Sequence, residues 1–211
     1  MVNVIGLGYI GLPTALMLAS NGQEVVGTDI NEDLIEQLNR QKVSFQEEGL
    51  TSLLKSAMEQ KIRFQTTPVR ANIYILAVPT PYAHVSKKID ASYVLEAVKS
   101  ILSYIENEAI IVIESTISPG TTKKLIQPLI DDEIKMYPNK KIHLVHAPER
   151  IIPGNMIHEL KYNARTIGAD SIEVAQEVKK VYESFCEGEI VLTDIRSAEM
   201  SKVIENTYRD V

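Results

Sequence analysis

The sequence predicts an α/β fold built on a doubly wound, mainly parallel sheet with helices on both faces. Three observations carry this. Short, near-continuous apolar runs alternate with longer stretches of helical periodicity, the pattern of strands covered on both sides. Gly6, Gly8 and Gly11 stand at G-x-G-x-x-G spacing between the first apolar run and the first helical one. An acid, Asp29, closes the second apolar run, about twenty residues on, where dinucleotide-binding units place one.

Val2–Ile5 (VNVI) is mostly apolar and β-branched, as a buried strand should be. Each glycine after it has a physical task. Gly6 allows the tight turn, Gly8 lets the backbone approach a pyrophosphate, and Gly11 lets the helix pack closely on the strand. The helix expected over Leu12–Ser20 then offers free N–H groups and its dipole to phosphate charge. Glu24–Thr28 is the second strand, and Asp29 sits where an acceptor for ribose hydroxyls belongs. This strand–glycine turn–helix–strand–acid order is the Rossmann unit. Helices follow at Asn31–Arg40, with Asn31 as N-cap, and at Leu50–Gln60. Lys61–Gln65, Asn72–Val78, Ile110–Glu114 and Ile142–His146 read as further strands, and Asp90–Ile105 and Thr121–Ile130 as the helices among them. The predicted strand order is 3-2-1-4-5-6. No regular pattern holds from there to Thr166. A helix at Ser171–Phe185, a strand at Glu189–Leu192 and a last helix from Ile195 complete the chain. That helix is still amphipathic at Val211, with no C-cap glycine or terminating proline. The expected division is therefore a dinucleotide-binding domain over 1–193 and the start of a longer helix, cut in mid-element, over 194–211.

Composition narrows the function. The 211 residues are 45% hydrophobic and 24% charged, with a net charge of −6, which fits a soluble globular protein and argues against a nucleic-acid binder. No run approaches a membrane span, and the first residues form a strand, not a signal peptide. A single cysteine, Cys186, forms no intrachain disulfide and fits a reducing cytoplasm. Metal-ligand spacings are absent.

Ligands of open parallel sheets bind beyond the strand carboxyl ends, and three such ends carry unusual residues. AVPTPY fixes the backbone with Pro79 and Pro81 and leaves the Thr80 hydroxyl available. ESTISPGTT puts Ser115 and Thr116 at a strand end before Pro119-Gly120. HAPERIIPG places Glu149 and Arg150 between prolines, where charged side chains need partners or a task. On the last helix Glu199, Lys202, Asn206 and Arg209 make one polar stripe, with Met200, Val203, Ile204, Thr207 and Val211 on another face. The stripe reads either as a solvated face or as a lysine and an asparagine holding a water or an oxyanion over a substrate.

Taken together, VIGLGYIGLPTA, the AVPTP loop, the EST…PG segment, APERIIPG with HELKYNARTIG, and AEMSKVIENTYRDV resemble the UDP-glucose/GDP-mannose dehydrogenase family along essentially the whole chain. The PER-x-x-PG form resembles its acetamido-sugar branch. The resemblance implies an NAD-dependent oxidation of the C6 alcohol of a UDP-N-acetylhexosamine to the uronic acid, by way of an aldehyde and a thioester, in a homodimeric parent enzyme. By position, it implies that Gly6, Gly8, Tyr9, Ile10, Gly11, Asp29, Thr80 and Thr116 contact NAD. Arg150, Ile151, Asn206 and Arg209 would contact the nucleotide sugar. Lys202, with Asn206, would serve as acid/base and stabilise oxygen charge, and Glu149 would assist thioester hydrolysis. The family's nucleophilic cysteine lies in a glycine-rich motif downstream of the lysine helix. No such motif occurs here, and Cys186, in SFCEG, reads as a small buried apolar residue. Two other readings stay open. One is a catalytically incomplete NAD-binding module; the other is a dehydrogenase of another UDP-sugar or another two-domain substrate class.

Overall fold

The computed structural model of the chain describes residues 1–83, 88–151 and 154–210. Ile152 and Pro153 of the APERIIPG loop, the Arg209 side chain and Val211 lie outside the described residues. One eight-stranded sheet organises the molecule. Its strands are β1 (Val2–Ile5), β2 (Val25–Thr28), β3 (Arg63–Gln65), β4 (Ile73–Leu76), β7 (Ala109–Ile113), β8 (Ile142–His146), β9 (Arg165–Ala169) and β10 (Ile190–Thr193); β5 (Tyr82–Ala83) and β6 (Lys88–Ile89) make a separate small hairpin. The helices are α1 (Gly11–Ser20), α2 (Glu32–Asn39), α3 (Leu50–Glu59), α4 (Ser92–Leu102), α5 (Gln127–Met136), α6 (Met156–Tyr162), α7 (Ile172–Tyr182) and α8 (Ile195–Asp210).

The spatial order is β10-β9-β8-β7-β4-β1-β2-β3. From β3 to β8 this is the predicted 3-2-1-4-5-6 arrangement, all parallel. Consecutive β4 residues supply opposite cores: Ile73 and Ile75 face α1, α3 and α7, whereas Tyr74 and Leu76 face α4 and α5. That is why the strands read as unbroken apolar runs rather than as alternation. α1 is buried from Gly11 to Ala19, so it too is apolar all round.

The sequence reading departs from the structure in four places. β9 runs antiparallel to β8, with Val145 opposite Ala169 and His146 opposite Gly168, and β10 returns parallel to β9. α6 and the start of β9 fall in the stretch without a legible pattern, and the rest of β9 lies between it and the helix expected from Ser171. β9 opens on Arg165 and carries Gly168, where a Cβ would meet the Asp194 carbonyl oxygen at 2.5 Å and Ala198 Cβ at 2.7 Å. The strand is small and polar because α8 lies directly on it. The helix expected at Thr121–Ile130 starts as a π turn over Thr122–Ile126 and continues as α5 to Met136. The fourth departure is α8 itself. Of the two readings of its polar stripe, the solvated face does not hold for Glu199 and Lys202, which are 1% and 4% exposed, while Ile204 and Tyr208 are 60% and 84% exposed.

Candidate active site and cofactor cradle

The first part of the site is the turn between β1 and α1. Gly6 has φ +88°, and a Cβ there would meet the Ala77 carbonyl oxygen at 2.8 Å, so the turn abuts the segment leaving β4. A Cβ on Gly11 would stand 1.9 Å from the Gly6 carbonyl oxygen. Both are fixed by packing. Gly8 is different: a Cβ there meets nothing within 4 Å, so its backbone faces open space. Ile10 is the cap residue of α1, and no acid occupies the first turn to compete with an anion. Asp29 is held at the rim of the same turn. Its Oδ2 accepts from Leu7 N at 2.7 Å and its Oδ1 from Asn31 N at 2.9 Å. An open glycine, a helix start and an oriented carboxylate fit a dinucleotide's pyrophosphate and ribose.

Thr80 and Thr116 follow β4 and β7 at the same edge, half-buried, and neither hydroxyl has a partner among the described residues. Ser115 is committed elsewhere, donating to the Val78 carbonyl at 2.7 Å and fastening the two loops together. The Tyr9 hydroxyl donates to Glu47 Oε2 at 2.9 Å, and Glu47 also accepts from the amides of Gly154 and Met156. Burial and the Glu47 charge hold the Tyr9 phenol above its ordinary range.

A buried charge cluster supports this edge from below. Arg165 Nη1 donates to Glu114 Oε1 at 2.8 Å, with side-chain exposures of 5% and 0%. Thr14 and the Tyr182 hydroxyl also donate to Glu114, and the Arg165 guanidinium lies 4.2 Å over the Tyr182 ring. Burial pushes the Glu114 carboxyl above its ordinary value, and Arg165 opposes that. Sequence reasoning missed the cluster, since a Glu ending an apolar strand gives no sign of which distant cation it meets.

The HAPER loop and α8 complete the site. Glu149 and Arg150 do not pair with each other. Glu149 Oε1 lies 3.6 Å from Lys202 Nζ, and Arg150 Nε is 2.9 Å from Glu205 Oε2, one turn further along α8. The Glu149 carboxylate also accepts from the Ile151 amide, and Arg150 Nη2 donates to the Thr166 hydroxyl at 3.2 Å. Asn206 lies half-buried one turn beyond Lys202. Glu199 is bound below, accepting from Gly120 N, from Thr122 N at 2.9 Å and from the Thr122 hydroxyl at 2.6 Å. His146, at the end of β8, is fully buried, and neither ring nitrogen has a hydrogen-bond partner among the described residues. Burial lowers its imidazole to about 4; the nearby Ile113 backbone opposes the shift, and the Lys202 charge adds to it. Sequence reasoning passed over His146 as the end of an apolar strand.

The sequence profile described as "UDP-glucose/GDP-mannose dehydrogenase family, NAD binding domain" matches residues 1–186. The chain belongs to that family. It is 46% identical to a UDP-N-acetyl-D-mannosamine dehydrogenase of Methanococcus maripaludis, across 99% of this chain and 48% of the relative. It is 37% identical to the Escherichia coli K12 protein of the same name, across 100% of this chain and 51% of the relative. The structure of the Staphylococcus aureus UDP-N-acetyl-mannosamine dehydrogenase Cap5O superposes with a TM-score of 0.92 at 40% identity, over 99% of this chain and 51% of that one. The chain thus spans about half the length of the curated relatives it matches, and the matched half is the one with the NAD-binding domain. Among the described residues, no helix is long and apolar enough to cross a membrane and no group of three metal-ligating side chains occurs.

Proposed function

We propose that this chain is the cofactor half of an NAD-dependent dehydrogenase that oxidises the C6 alcohol of UDP-N-acetylmannosamine to the uronic acid. The observation that carries the reading is Lys202. It is a buried lysine, 3.6 Å from the buried Glu149, at the sheet edge where the glycine turn opens. A lysine is seldom buried this far without a partner or a task, and here the partner, Glu149, stands with it at the carboxyl ends of the strands, where ligands of such sheets bind.

Bound NAD supplies the hydride acceptor, and the chain's residues do the rest. Gly6, whose N–H goes to the Thr28 carbonyl at 2.8 Å, shapes the turn, and Gly8, Gly11 and the cap residue Ile10 present backbone N–H groups to the pyrophosphate. Asp29 accepts from ribose hydroxyls, and Tyr9, Thr80 and Thr116 line the remaining cofactor contacts. Arg150, Ile151, Asn206 and Arg209 hold the nucleotide sugar. Lys202 Nζ first passes its own proton to the adjacent Glu149, then takes the C6 hydroxyl proton as the alcohol is oxidised, and later steadies charge on that oxygen with Asn206. Glu149, next to Lys202, is the acceptor through which that proton leaves without bulk water, and it assists the hydrolytic step. Cys186 is not the nucleophile of the second oxidation: the residue is 6% exposed and its thiol is turned to the Asn163 and Gly188 carbonyls. A reducing cytoplasm and a homodimer fit this reading, the latter supported by the exposed apolar face of α8 at Met200, Ile204 and Tyr208.

The test replaces Lys202 by Met in the complete gene product that contains these residues. General acid–base help is worth roughly 10²–10⁴-fold, so turnover of UDP-N-acetylmannosamine should fall at least about a hundredfold. NAD affinity should stay unchanged, since the glycine turn and Asp29 are untouched. Retention of more than about a tenth of the rate, well above that range, overturns the reading.

A further inference from the structure

Glu199 is a negative charge with 1% exposure that faces no cation at ion-pair distance among the described residues. It is spent instead on another element. Its carboxylate accepts from Gly120 N, Thr122 N and the Thr122 hydroxyl, seventy-seven or more positions away in sequence. The helical segment entered there has no capping side chain of its own, neither at its π turn nor at the start of α5. An N-terminal cap normally comes from the residue just before the helix; here α8 supplies it from outside. The same short loop carries Thr116, four residues before Gly120, and Lys202 lies one turn beyond Glu199 on α8. The Glu199 bonds therefore span the gap between the cofactor-side loop after β7 and the helix that holds Lys202.

From this geometry we infer that Glu199 is a positioning residue for the oxidation. It fixes the rotation and depth of α8 so that Lys202 Nζ stands over the cofactor-side loop at a constant offset. The inference rests on the role proposed for Lys202. A carboxylate suits the task better than a neutral side chain. It offers two acceptor oxygens to two backbone N–H groups and a hydroxyl, all at a helix start where negative charge is favoured. A displacement of about 1 Å at a reacting group can cost as much as about a hundredfold in rate, so a clamp one turn from the lysine bears directly on turnover.

The experiment is a double-mutant cycle in the complete gene product, assayed with UDP-N-acetylmannosamine and NAD well below the unfolding temperature. Glu199→Ala in the native background should lower kcat at least about tenfold, and Glu199→Gln, which keeps one carbonyl acceptor, should recover part of that loss. In the Lys202→Met background the same Glu199→Ala change should cost less than about threefold, because a residue that acts through the lysine has nothing left to position. Should Glu199→Ala not fold, Thr122→Val removes only the hydroxyl donor and should show the same non-additivity on a smaller scale. A Glu199 that merely stabilises the fold lowers the unfolding temperature and leaves kcat equal, or lowers kcat by the same factor in both backgrounds. Either result overturns the inference. Retained activity in Lys202→Met alone is a separate failure, one that removes the role of the lysine and with it the role given to Glu199.

Discussion

Replacing Arg165 by Met tests the buried support under the cofactor edge. The substitution leaves Glu114 with 0% side-chain exposure and without the cation that stands 2.8 Å from it. At an effective dielectric of about 20, the gross attraction at that distance is ~6 kcal/mol, most of it offset by the desolvation of both ions. Removing one partner, however, leaves the other's desolvation uncompensated, and such changes cost about 3–5 kcal/mol. Thr14 and Tyr182 still donate to Glu114, but two neutral hydroxyls do not replace a guanidinium. For a chain of this length each kcal/mol is worth about 2–4 °C, so the unfolding temperature should drop by about 6–20 °C. The loss should depend on pH in a defined direction. Burial already holds the Glu114 carboxyl above its ordinary value and Arg165 opposes that; without the arginine the folded-state value rises further. A carboxyl whose folded value is raised contributes stability below its unfolded value and loses it as pH rises through the folded one. The variant should therefore be nearly native at about pH 4 and most penalised at about pH 8. Urea unfolding followed by circular dichroism at both values measures it, with Glu114→Gln/Arg165→Met as the control that restores more than half of the loss. A penalty below about 1 kcal/mol, or one equal at the two pH values, would refute the reasoning.

Three further outcomes follow from the same site. NADP should bind at least about tenfold more weakly than NAD, because the Asp29 carboxylate faces the 2′ position as a like charge; equal affinities by calorimetry would remove Asp29 from that role. Gly8→Ala should leave stability within about 0.5 kcal/mol yet cut NAD binding at least about tenfold, whereas Gly11→Ala, whose Cβ meets the Gly6 carbonyl oxygen at 1.9 Å, should destabilise by about 1–3 kcal/mol or more. The reverse order in denaturation and binding assays would contradict the cradle. His146, with its imidazole lowered from 6.5 to about 4, contributes stability above its unfolded value that is lost as pH falls from about 6.5 towards 4, about 3 kcal/mol in all. His146→Leu should flatten that acid loss, and an imidazole proton resonance that titrates at pH 6 or above would rule the assignment out.

Some features were legible in the residue order because their causes are local. Strand, glycine turn, helix and acid lie within the first 29 residues, and the tightest glycine constraint, Gly11 against the Gly6 carbonyl oxygen, is internal to that turn, although both glycines also abut Ala77 after β4. The parallel core from β3 to β8 was equally readable, since burial on both faces writes itself into each strand as an apolar run. What only the tertiary structure decided depends on long-range pairing. β9 could not be read from Arg165–Ala169, because its arginine is paid for by Glu114 and its glycine by the backbone of α8. The stripe on α8 could be read as a set of polar residues but not as a buried one. A helical period places Glu199, Lys202 and Asn206 on one face; it cannot say that the face meets Thr122, Glu149 and the end of β8 rather than water. That outcome was fixed by partners seventy-seven and fifty-three positions away in the chain, and burial of a charge is determined by whether such partners arrive.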